Sequence, residues 1–283
     1  MIVFRDKKVS VVIPNYNYAK YIKRRILSVS RQTYPIYEII VLDDASTDDS
    51  KRIIENAILD IKIMNPELKI KFVENKKNSG GAIKQWKKGF ELAKGDFVWI
   101  AEADDLCSRN FLTEVMKGFD DPDVVLSYAE SAIMNSAGIV IAPNFRWSRD
   151  REKTGHFKNS YVKDGRREIA EIMAVRCTVP NVSAAVFRKT PELLEYLKLA
   201  EKFKQVGDWF LYTKLLENGK ISYNRKSLNL FRIHRNSATK RGNEHVRELE
   251  EMHKYFNDNY NLEEDVKERM RIELERVRHK YNI

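Results

Sequence analysis

Short β-branched runs alternate with stretches of helical spacing through the first half of the chain, and this alternation limits the fold more than any other feature. Val9 to Ile13 is such a run, closed by Pro14. Tyr21, Ile22, Ile26, Leu27 and Ser30 then recur at helical spacing. Ile39 to Leu42, Ile70 to Val73 and Phe97 to Ala101 read as three more strands. A helix start falls between Ala45 and Asp49, where Ser46 and Asp49 have capping-box spacing. Another helix covers Ala82 to Ala93 and is ended by Gly95. Strand and helix in turn predict an α/β fold: a Rossmann-like, mostly parallel sheet flanked by helices.

The second half is less regular. Asn110 to Phe119 reads as helix and Val124 to Tyr128 as strand. Pro143 to Gly165 is polar and irregular, which predicts a mobile loop. Glu168 to Val175 is helical, Val182 to Phe187 a strand, and Pro191 opens a further helix at its first turn. Asp208 to Glu217 is a helix closed by Asn218-Gly219, and Ser222 to Ile233 carries short strands. From Asn243 the chain is charged with both signs, and Val266, Met270, Leu274 and Val277 share one helix face. The expected division is a main domain over 1–240 and a helical C-terminal extension over 241–283. That extension is expected to pack on its own domain, with a homo-oligomer contact as the alternative.

Acidic residues cluster where strands end. Asp43-Asp44 follows the second strand, and Glu102-Ala103-Asp104-Asp105 follows the fourth. Parallel strands bring both clusters to one sheet edge, where ligands of open α/β sheets bind. Crowded carboxylates repel one another, and a divalent cation relieves that repulsion. One cluster can then hold a nucleoside and the other a metal bridging a diphosphate. The competing reading is a solvated acidic turn. Asp208 opens a helix in Val206-Gly207-Asp208-Trp209, as a cap or as a working carboxylate. His234 follows a strand between Arg232 and Arg235, as a structural residue or beside a phosphate.

The formal charge of +10 and a pI near 9.3 suit anionic partners without choosing among them. Basic residues are scattered, without the aromatic interleaving of a nucleic-acid surface, so no nucleic-acid partner is expected. Cys107 and Cys177 form neither a disulfide framework nor a metal motif, which fits a reducing, cytoplasmic setting. Arg5, Asp6, Lys7 and Lys8 interrupt any apolar leader, and no apolar run is long enough to span a bilayer.

A family resemblance runs in order through residues 9–237. Val9-Ser10-Val11-Val12-Ile13-Pro14-Asn15-Tyr16-Asn17 resembles the opening strand of glycosyltransferase family 2. Val41-Leu42-Asp43-Asp44-Ala45-Ser46-Thr47-Asp48 is similar to its nucleoside-binding turn. Asn78-Ser79-Gly80 and Ala93-Lys94-Gly95-Asp96 resemble the segment leading into its metal motif. Glu102-Ala103-Asp104-Asp105 resembles the DxD signature, with Glu in the first acidic place. Gly207-Asp208 resembles the place of the catalytic base, and Arg232-Ile233-His234-Arg235-Asn236-Ser237 the closing motif. The chain departs from the pattern at Lys84-Gln85-Trp86, where many members carry an Arg-Asn pair, and at Gly207, where many carry an acid.

The resemblance implies a GT-A fold and an inverting transfer of sugar from a nucleotide-diphosphate sugar to a hydroxyl acceptor. It implies donor contacts at Pro14, Tyr16, Asp43, Asp44, Gln85, Glu102 and Asp104. A divalent metal, manganese or magnesium, would be held by Asp104 and His234, with Asp105 orienting the ligands. Asp208 would be the catalytic base. Bacterial surface-polysaccharide or glycan assembly is the implied setting, with a glycan or lipid-linked acceptor and peripheral contact with the inner face of the membrane. The alternatives are an inactive nucleotide- or sugar-binding module and a sugar nucleotidyltransferase. The second wants a glycine-rich basic loop after the first strand, where this chain has Pro14-Asn15-Tyr16-Asn17. A phosphoacceptor receiver places its acidic pair after the first strand, and a dinucleotide oxidoreductase needs a G-x-G-x-x-G loop.

Overall fold

The computed structural model describes residues 7–151, 154–234 and 242–283. Its first half is built as the alternation predicts: β1 (Val9–Asn15), α1 (Ala19–Ser30), β2 (Glu38–Asp43), α2 (Ser50–Met64), β3 (Ile70–Glu74), α3 (Ala82–Leu92) and β4 (Phe97–Ile100). After these come β5 (Leu106–Cys107), α4 (Phe111–Val115), β6 (Val124–Met134), β7 (Val140–Ala142), α5 (Arg146–Arg149), β8 (Tyr161–Asp164) and α6 (Gly165–Glu168). The chain closes with β9 (Ala185–Arg188), α7 (Leu193–Ala200), α8 (Gly207–Leu216), β10 (Lys220–Arg232), α9 (Gly242–Asn259) and α10 (Glu264–Tyr281).

The strands form one sheet in the order β3-β2-β1-β4-β9-β6-β10-β5, with β7 on β6 and β8 on β10. β3, β2, β1 and β4 are mutually parallel, and β6 and β10 are parallel to each other. β9 lies antiparallel between β4 and β6, so those two still point the same way. The carboxyl ends of β1, β2, β4, β6 and β10 therefore share one edge. Side chains alternate along β1: Val12 joins the core beneath α3, α7 and α8, while Val11 and Ile13 join the core beneath α1 and α2.

Several expected boundaries shift for physical reasons. β1 runs past Pro14 to Asn15. The Val12 carbonyl faces β4, accepting from Ala101 N at 2.8 Å, and Pro14, two residues on, faces the same side. β4 has ended there, so the missing N–H costs no ladder bond. Gly95 does not cap α3; a Cβ there would lie 2.6 Å from the Lys8 carbonyl, so close packing explains the glycine. Pro191 sits ahead of α7, in a turn closed by Leu193 N donating to Thr190 O at 3.3 Å. Ser222 to Ile233 is not a set of short strands: β10 is continuous, and its bulges keep it in step with β6.

The stretch 143–165, expected to be an irregular mobile loop, carries α5 and β8. Its polar residues pair with each other and with the sheet: Arg149 is buried against Glu130, and its Nη1 donates to Thr178 O at 2.8 Å. The C-terminal helices pack on the main body. Val246, Leu249, Met252, Phe256, Val266, Met270 and Val277 all belong to the core that holds α7 and α8. Leu274 packs against the same core.

Candidate active site

At the end of β2, Asp43 and Asp44 are both buried and spend their oxygens on loops. Asp43 Oδ1 accepts from Asn15 Nδ2 at 2.7 Å and Ser46 Oγ at 2.6 Å, and its Oδ2 accepts from Ser46 N at 2.9 Å. The expected capping box therefore does not form. Ser46 turns back to Asp43, Ala45 takes a positive φ of 60°, and α2 starts at Ser50. Asp44 Oδ1 accepts from Asn75 Nδ2, Ser79 N and Gln85 Nε2 at 2.6, 2.9 and 2.9 Å. Its Oδ2 accepts from Ser79 Oγ at 2.8 Å. Together these residues hold a rigid wall between β1, β2 and α3. Tyr16, just past the end of β1, is 46% exposed, while Pro14 is buried inside β1. Gln85 is buried with an amide oxygen that has no protein partner.

β4 delivers the second cluster. Glu102 Oε1 accepts from Trp86 Nε1 at 2.6 Å, and Glu102 N donates to Ser183 Oγ at 3.0 Å. Burial, with Asp104 nearby, pushes the Glu102 carboxyl up to about 8. Asp105 is buried and fixed from two sides: Oδ1 accepts from Arg232 N and Oδ2 from Asn181 Nδ2, both at 2.9 Å. Burial and Asp104 raise it to about 6. Asp104 alone of the three turns toward His234, with Oδ2 and Nε2 2.9 Å apart. The His234 ring packs on Tyr18 and Tyr21, each with a centroid distance of 5.6 Å.

Arg232 does not face a phosphate, as its sequence neighbourhood suggested. Its buried guanidinium donates to the carbonyls of Asp104 at 2.6 Å, Asn135 at 3.1 Å and Ser136 at 3.3 Å. It is a strut between the acidic loop and the β6–β7 turn. Arg235, Asn236 and Ser237 lie outside the described residues.

Among the described residues no three His, Cys, Asp or Glu side chains gather as a metal cage. Asp104 with His234 is a two-donor edge. Such an edge suits an ion that keeps water and takes further oxygens from a phosphate, as magnesium-type ions do. The donor set fits a metal that comes with a diphosphate.

Asp208 occupies the first turn of α8, its Oδ1 accepting from Trp209 N at 2.8 Å. A helix start by itself lowers the pKa of a carboxylate. Burial dominates instead and raises it to about 6, against the backbone bonds that lower it. Gly207, just before Asp208, does not open a path for a ligand. It is instead packed on protein, since a Cβ would meet the Ala200 carbonyl at 3.0 Å and Ile83 at 3.4 Å. One turn on from Asp208, the Tyr212 hydroxyl is fully buried without a hydrogen-bond partner, and its proton is held by burial and by the charges of Asp208 and Glu102.

Sequence reasoning missed four supporting residues. Arg25, fully buried with its guanidinium 5.1 Å over the Trp99 ring, lends positive charge to Glu102 and Asp105. Asn181 and Ser183 hold the acidic loop from the turn before β9. Glu248 of α9, also buried, accepts from Lys204 N and Gln205 N at 2.8 Å and from Val206 N at 3.1 Å, fixing the segment that launches α8. An arginine between Ile22 and Ile26 on an apolar helix face was the readable signal for the first.

The profile of Glycosyl transferase family 2 matches residues 10–169, more than half of the chain. The chain belongs to that family. Among its curated relatives, an uncharacterised glycosyltransferase of Nostoc sp. is 36% identical over 118 residues, 42% of this chain and 34% of that protein. Poly(ribitol-phosphate) beta-N-acetylglucosaminyltransferase TarS of Staphylococcus aureus is 33% identical over 123 residues, 42% of this chain and 20% of TarS. The chain thus spans about a third and a fifth of the lengths of these relatives. The S. aureus TarS structure in complex with UDP aligns over 96% of this family 2 chain and 72% of its own, at a TM-score of 0.65 and 20% identity. The mannosyltransferase PcManGT of Pyrobaculum calidifontis, in complex with GDP-Man and Mn2+, aligns over 95% and 70% at 0.62 and 18%. The fold is therefore the GT-A fold of these glycosyltransferases.

Proposed function

We propose that the chain transfers a sugar from a nucleotide-diphosphate sugar to a hydroxyl of a glycan or lipid-linked acceptor, with inversion, in bacterial surface-polysaccharide or glycan assembly. The observation that carries this reading is the pairing of Asp104 with His234 on the sheet edge that also holds Asp43 and Asp44. The wall of Asp43, Asp44 and Gln85, with Pro14 and Tyr16 from the end of β1, receives the nucleoside. Glu102 lies toward the sugar, held by Trp86. A divalent cation, manganese or magnesium, would neutralise charge on the leaving diphosphate. Asp104 and His234 would hold that cation, and Asp105 would keep Asp104 in register. The acceptor oxygen forms its bond to the anomeric carbon as the bond to phosphate breaks. Asp208 takes the proton, and a pKa near 6 keeps it ionised at neutral pH yet basic enough to accept. TarS is solved with UDP and with UDP-GlcNAc, and PcManGT with GDP-Man and Mn2+, which supports this donor class and a metal. Residues 1–240 carry this site in our reading, with 241–283 as its helical extension.

Thermal shift against a panel of nucleotide sugars, with and without manganese, tests the reading. A donor at about 100 times its dissociation constant adds about 2.7 kcal/mol of apparent stability. That gain should need the metal in the native chain and disappear in Asp104→Ala, together with metal-dependent turnover. His234→Ala should weaken metal dependence less. Normal turnover of Asp104→Ala at limiting metal removes the reading.

A further inference from the structure

Ile139, Val140 and Ile141 are consecutive, apolar and 63, 52 and 59% exposed. They form the outgoing arm of a hairpin that leaves β6 and turns at Asn135 to Gly138, where Gly138 N donates to Asn135 O at 2.9 Å. Trp147, on α5 immediately after, is 66% exposed. Ile233, 47% exposed, is bonded to the hairpin base through its N donating to Met134 O at 2.9 Å. A run of three exposed apolar residues has no reason in a surface that only meets water.

Position and charge say what covers it. The hairpin stands on the edge where β6 and β10 end, beside the acidic loop, and Arg232 ties its turn carbonyls to that of Asp104. Residues 136–149 contain no Asp or Glu, and of their two arginines Arg149 is buried against Glu130, which leaves Arg146 at the surface. Arg146 reaches from beside Trp147 to the carbonyl of exposed Arg225 at 3.1 Å. Exposed Arg24 flanks the turn, its Nη1 lying 3.2 Å from where a Cβ on Gly138 would be. Lys226 adds less, being paired with Glu114 at 3.1 Å. β7 offers only three residues of ladder, too few to favour strand pairing with another protein. Apolar tips with an edge tryptophan and flanking arginines match the boundary of an anionic bilayer.

We propose that the β6–β7 hairpin and Trp147 form a membrane-docking surface that inserts into an anionic lipid leaflet and sets the site's rim against it. The proposal rests on the glycosyltransferase reading only in that a lipid-borne acceptor would then arrive at the site. Docking itself needs neither donor nor metal.

Flotation with vesicles of phosphatidylcholine, with and without phosphatidylglycerol, tests it. The native chain should float with the anionic vesicles at low salt and much less with neutral ones. Trp86, Trp99 and Trp209 are buried, so a blue shift in tryptophan emission reports Trp147. Ile141→Asp with Trp147→Ala, and separately Arg146→Glu with Arg225→Glu, should each lower partition about ten-fold or more. Both should keep the native Tm and native transfer to a water-soluble acceptor. Leu59 and Ile63, apolar and exposed on α2, lie toward the opposite sheet edge, so Ile63→Asp should change nothing. Asp104→Ala should float as well as the native chain while losing turnover, which separates this proposal from the transfer reading. The docking proposal is overturned if the native chain ignores anionic vesicles, if the hairpin variants float normally, or if Ile63→Asp releases the protein. A stable dimer in solution that the hairpin variants abolish would also overturn it, by making a second copy the cover.

Discussion

Asp208 carries a cost in the folded chain that its proposed role explains. Its folded pKa near 6 lies above the ordinary carboxylate value of 3.8. Between those values the folded chain keeps a proton that the unfolded chain has released. Stability from this group is therefore complete below the ordinary value, falls as pH rises, and levels off above about 6. Asp208→Asn should then gain up to about 3 kcal/mol at pH 7 and nothing near pH 4, read by denaturant melts at both pH values. The same variant should keep donor affinity and lose about 10²-fold or more in transfer rate. Native transfer should fall with one-proton slope below pH 6. Near-normal transfer by Asp208→Asn would leave only a residue at a helix start. The neighbouring Tyr212→Phe should hold or raise Tm, because it removes a buried hydroxyl without a partner. A fall in transfer at unchanged Tm would mean that bound substrate uses that hydroxyl. That Asp104 and His234 meet was legible, because both follow strands that end on one sheet edge. The partners of Arg25, Asn181 and Glu248 were not: each acts across a long sequence separation, and neither a polar residue on an apolar face nor one acid in a highly charged stretch announces its partner.

The elements that aim these residues are set by close packing as much as by pattern. α8 can begin where it does because Gly207 lets its first turn lie on the Ala200 carbonyl and Ile83. Gly207→Ala should cost about 1 kcal/mol or more, since the nearest contact is backbone and cannot turn aside. It should also lower the transfer rate with donor binding intact, by displacing Asp208; a native rate would mean that α8 tolerates the shift. The helix-period and strand-period runs made the parallel half of the sheet readable. β9 read as a strand, but its antiparallel insertion between β4 and β6 did not, because its four residues carry no directional signal. Stretch 143–165 misled for a related reason. Polar composition suggested water, whereas Arg149 and Glu130 satisfy one another inside.

Across the whole molecule, the C-terminal helices close the site from behind. Sequence periodicity gave the apolar face of α10 but not that of α9, and both faces join the α7–α8 core. Beyond apolar contact, the buried carboxylate of Glu248 receives three backbone N–H groups just before α8. Of these donors Val206 N is buried, and losing the acceptor leaves it unsatisfied, whereas Lys204 is exposed and Gln205 half-buried, so water can reach them. Glu248→Ala should therefore cost roughly 1–3 kcal/mol, the range for one buried donor that water fails to reach. Glu248→Gln keeps one acceptor oxygen and should recover part of it. The informative measurement is the split between constants below the melting range. If α9 positions the base, Glu248→Ala lowers kcat while the donor KM and the metal requirement hold, and Glu248→Gln restores part of kcat. Loss of stability with native kcat would make the contact a tie for the extension alone. Equal damage to KM and kcat would mean that the whole site loosens with the loop.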